Sequence, residues 1–307
     1  DPLQGETLLT QDMLGRLLEV RDPLRQVTAW QHSTQHASPE GSVTRTTLPD
    51  GVVQRQDYSA GKKVAGVTDG EGKTTRYEYG SFDRVMAVVR PDGQRYRFEY
   101  DGLLRLKQVT DAQGKIWTYE YDLSGQIIRE TDFGGRVLTY EYDAAGRRIC
   151  TRFPDERLIR LYYDHGDRLL RQQVFRLRDN HEQPGAATEY RYDTEYRLIS
   201  ATTPDARVEF EYGADCNVTA ETLNGHRVEH AYDPLNGRPV AWRLDGVEMA
   251  FAWGPMGRLS QWQVNGHAPL RLSHNALGRE IKRQSDAGFL HGQRHGKTGN
   301  LIEQWAG

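Results

Sequence analysis

Three sets of side chains in this 307-residue sequence have types and spacings that could do chemistry. His291 and His295 are four residues apart, and His274 lies 21 before His295, a set of imidazoles that would suit zinc. Zinc takes four ligands, or three and an open position, and no Cys, Asp or Glu accompanies these three at zinc spacing. His226 and His230 flank one short apolar-alternating segment and read the same way. Glu99, Glu120 and Glu141 recur at intervals of 21 and would stack into a row of acids. Acid–base pairs need two carboxylates in different environments, whereas each of these lies two residues after an Arg or Thr, on a face expected to be solvated. Cys150 follows Arg147 and Arg148, which favour a thiolate, but it reads as a structural thiol on a strand. No phosphate-cradling loop, nucleophile elbow or zinc spacing occurs. The sequence therefore predicts no catalytic residue, no metal site and no cofactor.

The interval of 21 is the more informative signal, because it belongs to the whole chain rather than to its acids. Five successive units read Arg76-Tyr-Glu-Tyr-Gly80, Arg97-Phe-Glu-Tyr-Asp101, Thr118-Tyr-Glu-Tyr-Asp122, Thr139-Tyr-Glu-Tyr-Asp143 and Arg160-Leu-Tyr-Tyr-Asp164. Their last tyrosines, Tyr79, Tyr100, Tyr121, Tyr142 and Tyr163, anchor a series that begins at Tyr58 and continues at Tyr192, Tyr212, Tyr232 and Trp253. His274 and His295 are weaker members, and Trp30 and Gln11 are looser ones upstream. Gly15, Gly125, Gly146, Gly257, Gly278 and Gly299 each fall four residues after an anchor, where a turn needs a backbone that accepts positive φ. A second turn, Asp- or Pro-Asp-Gly-rich, falls midway, as at Pro91-Asp92-Gly93 and Thr110-Asp-Ala-Gln-Gly114.

Two turns per unit leave two strands of about five to seven residues. The second alternates strictly: Tyr96, Phe98 and Tyr100 against Arg95, Arg97 and Glu99. Trp117, Tyr119 and Tyr121 do the same against Thr118 and Glu120. This is the period of a strand with one packed and one wet face. The fold class is all-β: tandem hairpins in a long antiparallel sheet, with the anchors forming an aromatic ladder. About 13 units give roughly 26 strands, and a ribbon of that length must coil as twist accumulates. The array is expected to be one run over 1–307. Two breaks in the period, near 35–41 and 178–185, are polar and hold Pro and Gly, so they are expected to be loops projecting from the sheet.

Composition excludes several classes. Only 37% of residues are hydrophobic, yet 16 Tyr, 6 Trp and 8 Phe are too many aromatics for a disordered chain. A net charge of −3 from 40 basic and 43 acidic residues gives no basic field for nucleic acid. No stretch approaches the length of a membrane-spanning helix. Two cysteines make no secreted disulfide framework. The chain opens at Asp1-Pro2 without a Met or signal peptide and ends within a repeat, so it is expected to be a segment of a longer protein.

Tyr-Glu-Tyr-Asp, two residues, Gly-Arg, a strand and an Asp- or Pro-Gly turn together resemble the YD repeat of bacterial Rhs proteins. The same repeat is similar to those of insecticidal toxin-complex C components and of animal teneurins. Tyr140-Glu-Tyr-Asp-Ala-Ala-Gly-Arg147 carries the resemblance most closely. It implies a β-ribbon wound into a hollow shell around a C-terminal toxin, delivered in many bacterial cases by type VI secretion. The partners it implies are the enclosed toxin and, through other regions, secretion spike proteins and a chaperone. It implies manufacture in the bacterial cytoplasm and delivery to target cells. Family members self-cleave at an Asp-Pro-x-Gly type motif. Asp1-Pro2-Leu3-Gln4-Gly5, Asp22-Pro23-Leu24-Arg25 and Asp233-Pro234-Leu235-Asn236-Gly237 sit among the repeats with no toxin sequence after them, so no autoproteolytic residue is assigned. The alternative is a shell of the same repeat in an insecticidal toxin-complex C component or a teneurin-like adhesion protein, and for the animal protein glycosylation sequons and paired cysteines would be the signs. The lone sequon-like Asn217-Val-Thr219 and the scarcity of cysteine weigh against it.

Overall fold

A computed structural model describes residues 6–33, 42–179 and 181–307. The expected loop at 35–41 and the Asp1–Gly5 motif lie outside the described residues. Among those described there are 28 β-strands, and the only helical pieces are single 3-10 turns at Ser81–Asp83 and Pro255–Gly257. The chain divides into two compact units: Asp1–Gln94 with His230–Gly307, and Arg95–Glu229. Within each, strands pair antiparallel with their sequence neighbours, as short turns oblige them to. The expected all-β class and hairpin meander hold.

One repeat shows why the sequence folds this way. The strand Val137–Tyr142 pairs with Arg148–Arg152 through Thr139 opposite Arg152, Tyr140 opposite Thr151 and Glu141 opposite Cys150. The register then slips, and Tyr142 faces Arg148. The slip recurs at Gln11, Tyr58, Tyr79, Tyr121, Tyr163, Tyr192, Tyr212, Trp253, His274 and His295. A bulge of this kind bends the strand and re-aims its last side chain. The upstream member of the series is His32, not Trp30, because the slip falls between Gln31 and His32. The two residues share a face, so alternation alone does not separate them.

The turn after Tyr142 is built by Asp143. Its Oδ1 accepts the N–H groups of Ala145 and Arg147, each at 3.0 Å, and its Oδ2 accepts Arg147 Nε at 2.8 Å. Gly146, at φ +82°, closes the turn by donating its N–H to the Asp143 carbonyl. All six glycines read from the sequence at this position have positive φ, and Lys62, Leu104, Asp167, Tyr196 and Cys216 adopt it without being glycine.

The segment 178–185 is not a loop. Leu169–Arg178 and His181–Tyr192 are strands of 10 and 12 residues, and the extra residues lengthen both arms of one hairpin. Pairing runs from Arg171 opposite Glu189 out to Arg178 opposite His181. It is interrupted between Gln173 and Phe175, where a Cβ on Gly185 would lie 3.2 Å from the Val174 carbonyl oxygen. Pro and Gly, loop signals by composition, serve here as bulge residues. The preceding strand, Arg157–Tyr163, also pairs along this extension, and Arg160 holds Glu182 through two bonds of 2.9 and 2.5 Å.

The charged face is not simply solvated. The most buried side chains include Ala87, Cys150, Leu158 and Ala220. Ala87 lies opposite Glu78, Cys150 between Glu141 and Arg160, and Ala220 between Glu211 and Glu229. A small residue beneath flanking long side chains is covered by their aliphatic stems.

Candidate functional site: the joint between repeats

The anchor side chain ends its strand at the bulge and points back along the ribbon. Tyr58, Tyr79, Tyr121, Tyr142 and Tyr163 each donate their hydroxyl to a carbonyl 15 residues earlier, those of Val43, Val64, Leu106, Ile127 and Arg148, at 2.6–3.0 Å. Tyr192 reaches Leu169 across the lengthened hairpin, Tyr212 reaches Leu198, and the Trp253 indole N–H reaches Pro239. The ring nitrogen Nε2 of His32 lies 2.8 Å from the Leu17 carbonyl in the same role. In these cases the accepting carbonyl belongs to the strand after the previous anchor, so the latch fastens its repeat to the one before. Tyr100 and Tyr232 end their strands at the equivalent place.

A second fastening runs the other way. Arg147, clamped by Asp143, lies 5.0 Å from the Tyr163 ring centre and donates Nη1 to the Asp164 carbonyl at 2.9 Å. Arg105 repeats this toward Tyr121 at 4.5 Å and the Asp122 carbonyl at 3.2 Å. Arg168 lies over Tyr192 and Arg197 over Tyr212. Arg258 and Arg279 reach the Asn275 and Gly296 carbonyls. Where Gln126 replaces arginine, its Nε2 reaches the Gly146 carbonyl at 2.6 Å. A planar guanidinium can hold a carboxylate with one edge, stack on a ring and still donate to a carbonyl.

The electrostatics follow this geometry. Hydrogen bonds from the Arg147 side chain and backbone hold the Asp143 carboxyl below its ordinary value. The Arg105 and Arg168 backbone N–H groups lead the same effect at Asp101 and Asp164. Burial pushes the Tyr121, Tyr142 and Tyr192 hydroxyls up, so they remain donors. The arginine that joins units was not read from the sequence. The signal was present in the Gly-Arg pairs that follow the turns.

The residues considered for chemistry fall elsewhere in this scheme. His274 and His295 occupy anchor positions, and His291 lies opposite Arg283 and Ala306. His226 ends a hairpin opposite Leu223. Glu141 pairs with Arg152 at 2.8 Å and Glu120 with Arg129 at 3.7 Å, while Glu99 accepts from Gln108 at 3.3 Å. Burial raises the Cys150 thiol, the opposite of an activated nucleophile. Among the described residues no three His, Cys, Asp or Glu side chains converge as a metal cluster. Among the described residues no helix is long and apolar enough to cross a membrane.

Bulged hairpins, a tyrosine latch and an arginine strut at fixed intervals define a tandem-repeat β-ribbon. The RHS Repeat family matches residues 58–95, 100–137 and 121–155. Within 58–155 the chain thus carries repeats of the RHS type. No curated protein matches its sequence. Among solved structures, the chain is similar to TcdB2-TccC3, with a TM-score of 0.72 and 13% identity over 97% of this chain and 20% of that one. It is also similar to the Photorhabdus luminescens Tc holotoxin pore carrying a TccC3 mutation, with a TM-score of 0.65 and 12% identity over 98% of this chain and 21% of that one. The chain thus spans about a fifth of the length of these structures. At such identity the likeness is one of fold.

Proposed function

We propose that this chain is a stretch of wall in a toxin shell, and that its work is containment. The observation that carries the reading is the joint: within each compact unit, successive repeats are fastened by the latches of Tyr58, Tyr79, Tyr121, Tyr142, Tyr163, Tyr192, Tyr212 and Trp253 and, in many repeats, by a strut. Such a sheet is a barrier rather than a catalyst. The likeness in fold to TcdB2-TccC3 and to the Tc holotoxin pore supports it. The cargo is a toxic polypeptide encoded C-terminal to the repeats, shielded from the producing cell and from proteases until delivery to a target cell. Delivery by type VI secretion in interbacterial competition is the first form of the proposal, with spike proteins and a chaperone engaged by other regions. Service in an insecticidal toxin-complex C component is the second, and the likeness in fold fits it equally well. The test uses the intact natural polypeptide that carries this sequence. Native size-exclusion chromatography followed by denaturing electrophoresis of the same peak should separate one particle into a large repeat-bearing piece and a smaller C-terminal piece. An undivided polypeptide with no protease-resistant C-terminal domain would overturn containment and favour an adhesive role.

A further inference from the structure

Nine residues after each anchor, the ribbon places a side chain on the aromatic face. After Tyr58, Tyr79 and Tyr100 this is Val67, Val88 and Val109, opposite Gln56, Tyr77 and Phe98. After Tyr121 it is Glu130, opposite Tyr119 on one side and Leu138 on the other. A carboxylate thus stands where three preceding repeats place valine. Both of its oxygens are taken by neutral donors. The Trp117 indole N–H reaches Oε2 at 3.3 Å, and the Tyr140 hydroxyl reaches Oε1 at 2.5 Å. Around it the Trp117 and Tyr119 rings stack with centres 6.1 Å apart, and Phe133 meets Trp117 edge-on at 5.3 Å. Burial and then Glu130 raise the Tyr140 hydroxyl, so it remains a donor.

A carboxylate whose two bonds come from neutral donors keeps its attraction for positive charge. Aromatic ring faces add to it, since they attract cations. The cluster already tolerates a guanidinium at its margin, where Arg148 lies 5.7 Å from the Tyr140 ring centre. We propose that Glu130 with Trp117, Tyr119, Phe133 and Tyr140 forms a recognition site for a cationic side chain, arginine or lysine, of a polypeptide lying on this face. This goes beyond containment and stands without it, because the site is defined by its own chemistry.

The test is a titration of the 15N-labelled chain, following the Trp117 indole N–H, which is assigned by its loss in Trp117→Phe. The probe is N-acetyl-arginine amide, and its neutral near-isostere N-acetyl-citrulline amide is the control. A saturable shift at roughly millimolar arginine amide is expected, in keeping with a single weak site. Glu130→Gln, whose side-chain carbonyl can still accept from Tyr140, should weaken binding at least about tenfold, the loss of one charge contact worth about 1.4 kcal/mol. An absent shift, equal shifts from the citrulline probe, equal shifts from a neutral sugar, or undiminished binding by a folded Glu130→Gln chain would each overturn the proposal.

Discussion

Arg147 and Tyr163 belong to successive repeats, yet the Arg147 guanidinium lies 5.0 Å from the centre of the Tyr163 ring while its Nε holds Asp143 at 2.8 Å. One side chain thereby closes its own turn and braces the next latch. Lysine keeps the charge but lacks the planar fork. Arg147→Lys should lower the chemical-denaturation midpoint modestly and Arg147→Ala further. In an Arg147→Ala background, Tyr163→Ala should cost less than it does alone. Additive effects in that double-mutant cycle would show that the stacking contributes nothing.

Acid should loosen the turns. The carboxyls of Asp101, Asp143 and Asp164 lie below the ordinary 3.8 in the folded chain. A group whose folded pKa is depressed stabilises fully above its unfolded value and loses that contribution as pH falls through the folded one. The loss therefore begins near pH 4 and deepens below it. Asn275 shows that asparagine builds the same turn, accepting the Leu277 and Arg279 N–H groups at 3.0 Å. The triple variant Asp101→Asn, Asp143→Asn, Asp164→Asn should be less stable at pH 7 and show a shallower decline between pH 4 and pH 2. An unchanged acid slope would rule these carboxyls out as its source.

Lys62 occupies the turn position that Gly146 fills elsewhere, exposed and at φ +61°. A left-handed conformation costs an L-residue about 1–2 kcal/mol, partly offset because glycine has more freedom to lose on folding. Lys62→Gly removes no buried contact, and its N–H still reaches the Ser59 carbonyl. Denaturant titration should find it about 0.5–1 kcal/mol more stable than the parent. A less stable variant would mean the Lys62 side chain supports the turn.

Where the fold was legible, it was because a local rule repeats. Tyr142 and Gly146 are visible since a strand end and a positive-φ turn demand those residue types every time. Arg147 was harder to read, because its partner Tyr163 is 16 residues away and the reach between them depends on the register slip at the bulge. His32 was hidden behind Trp30 for the same reason, since both obey the alternation and only the slip selects one. The stretch around Glu182 misled through composition: its Pro, Gly and polar residues are loop-like, but Arg160 on the neighbouring strand supplies a partner that lets the hairpin extend. Glu130 sits at an ordinary alternating position, and its surroundings emerge only when Trp117 and Tyr140 arrive from the flanking strands.

The two cysteines should react very differently. Cys150 is fully buried and its thiol is raised by burial, whereas Cys216 is exposed in a turn. A thiol reagent at neutral pH should add one label per chain to the native protein and two after unfolding, read by intact mass. Rapid double labelling under native conditions would show that the sheet opens locally at the Arg148–Arg152 strand.

The last prediction concerns two turns far apart in sequence and adjacent in space. Thr298 Oγ1 donates to Glu71 Oε1 at 3.1 Å, across 227 residues. Beside this bond, a Cβ on Gly70 would lie 3.3 Å from the Lys297 carbonyl oxygen and 2.3 Å from a Val52 methyl. The Glu71 carboxyl is held below its ordinary value first by Lys73 and then by Thr298, so the acceptor is charged at neutral pH. Val52 is buried and β-branched, so its methyl yields only with its own backbone, and the Lys297 carbonyl must move with its turn. Gly70→Ala should therefore push the two turns apart while leaving each hairpin's own pairing intact. Hydrogen exchange read by mass spectrometry should quicken in the turn at 296–300 and little in the strand Leu301–Ala306. Thr298→Val should do the same more weakly, since it removes the hydrogen bond without adding bulk. If neither variant alters exchange at 296–300, the contact carries no stabilising energy and the glycine at 70 answers only to its own turn.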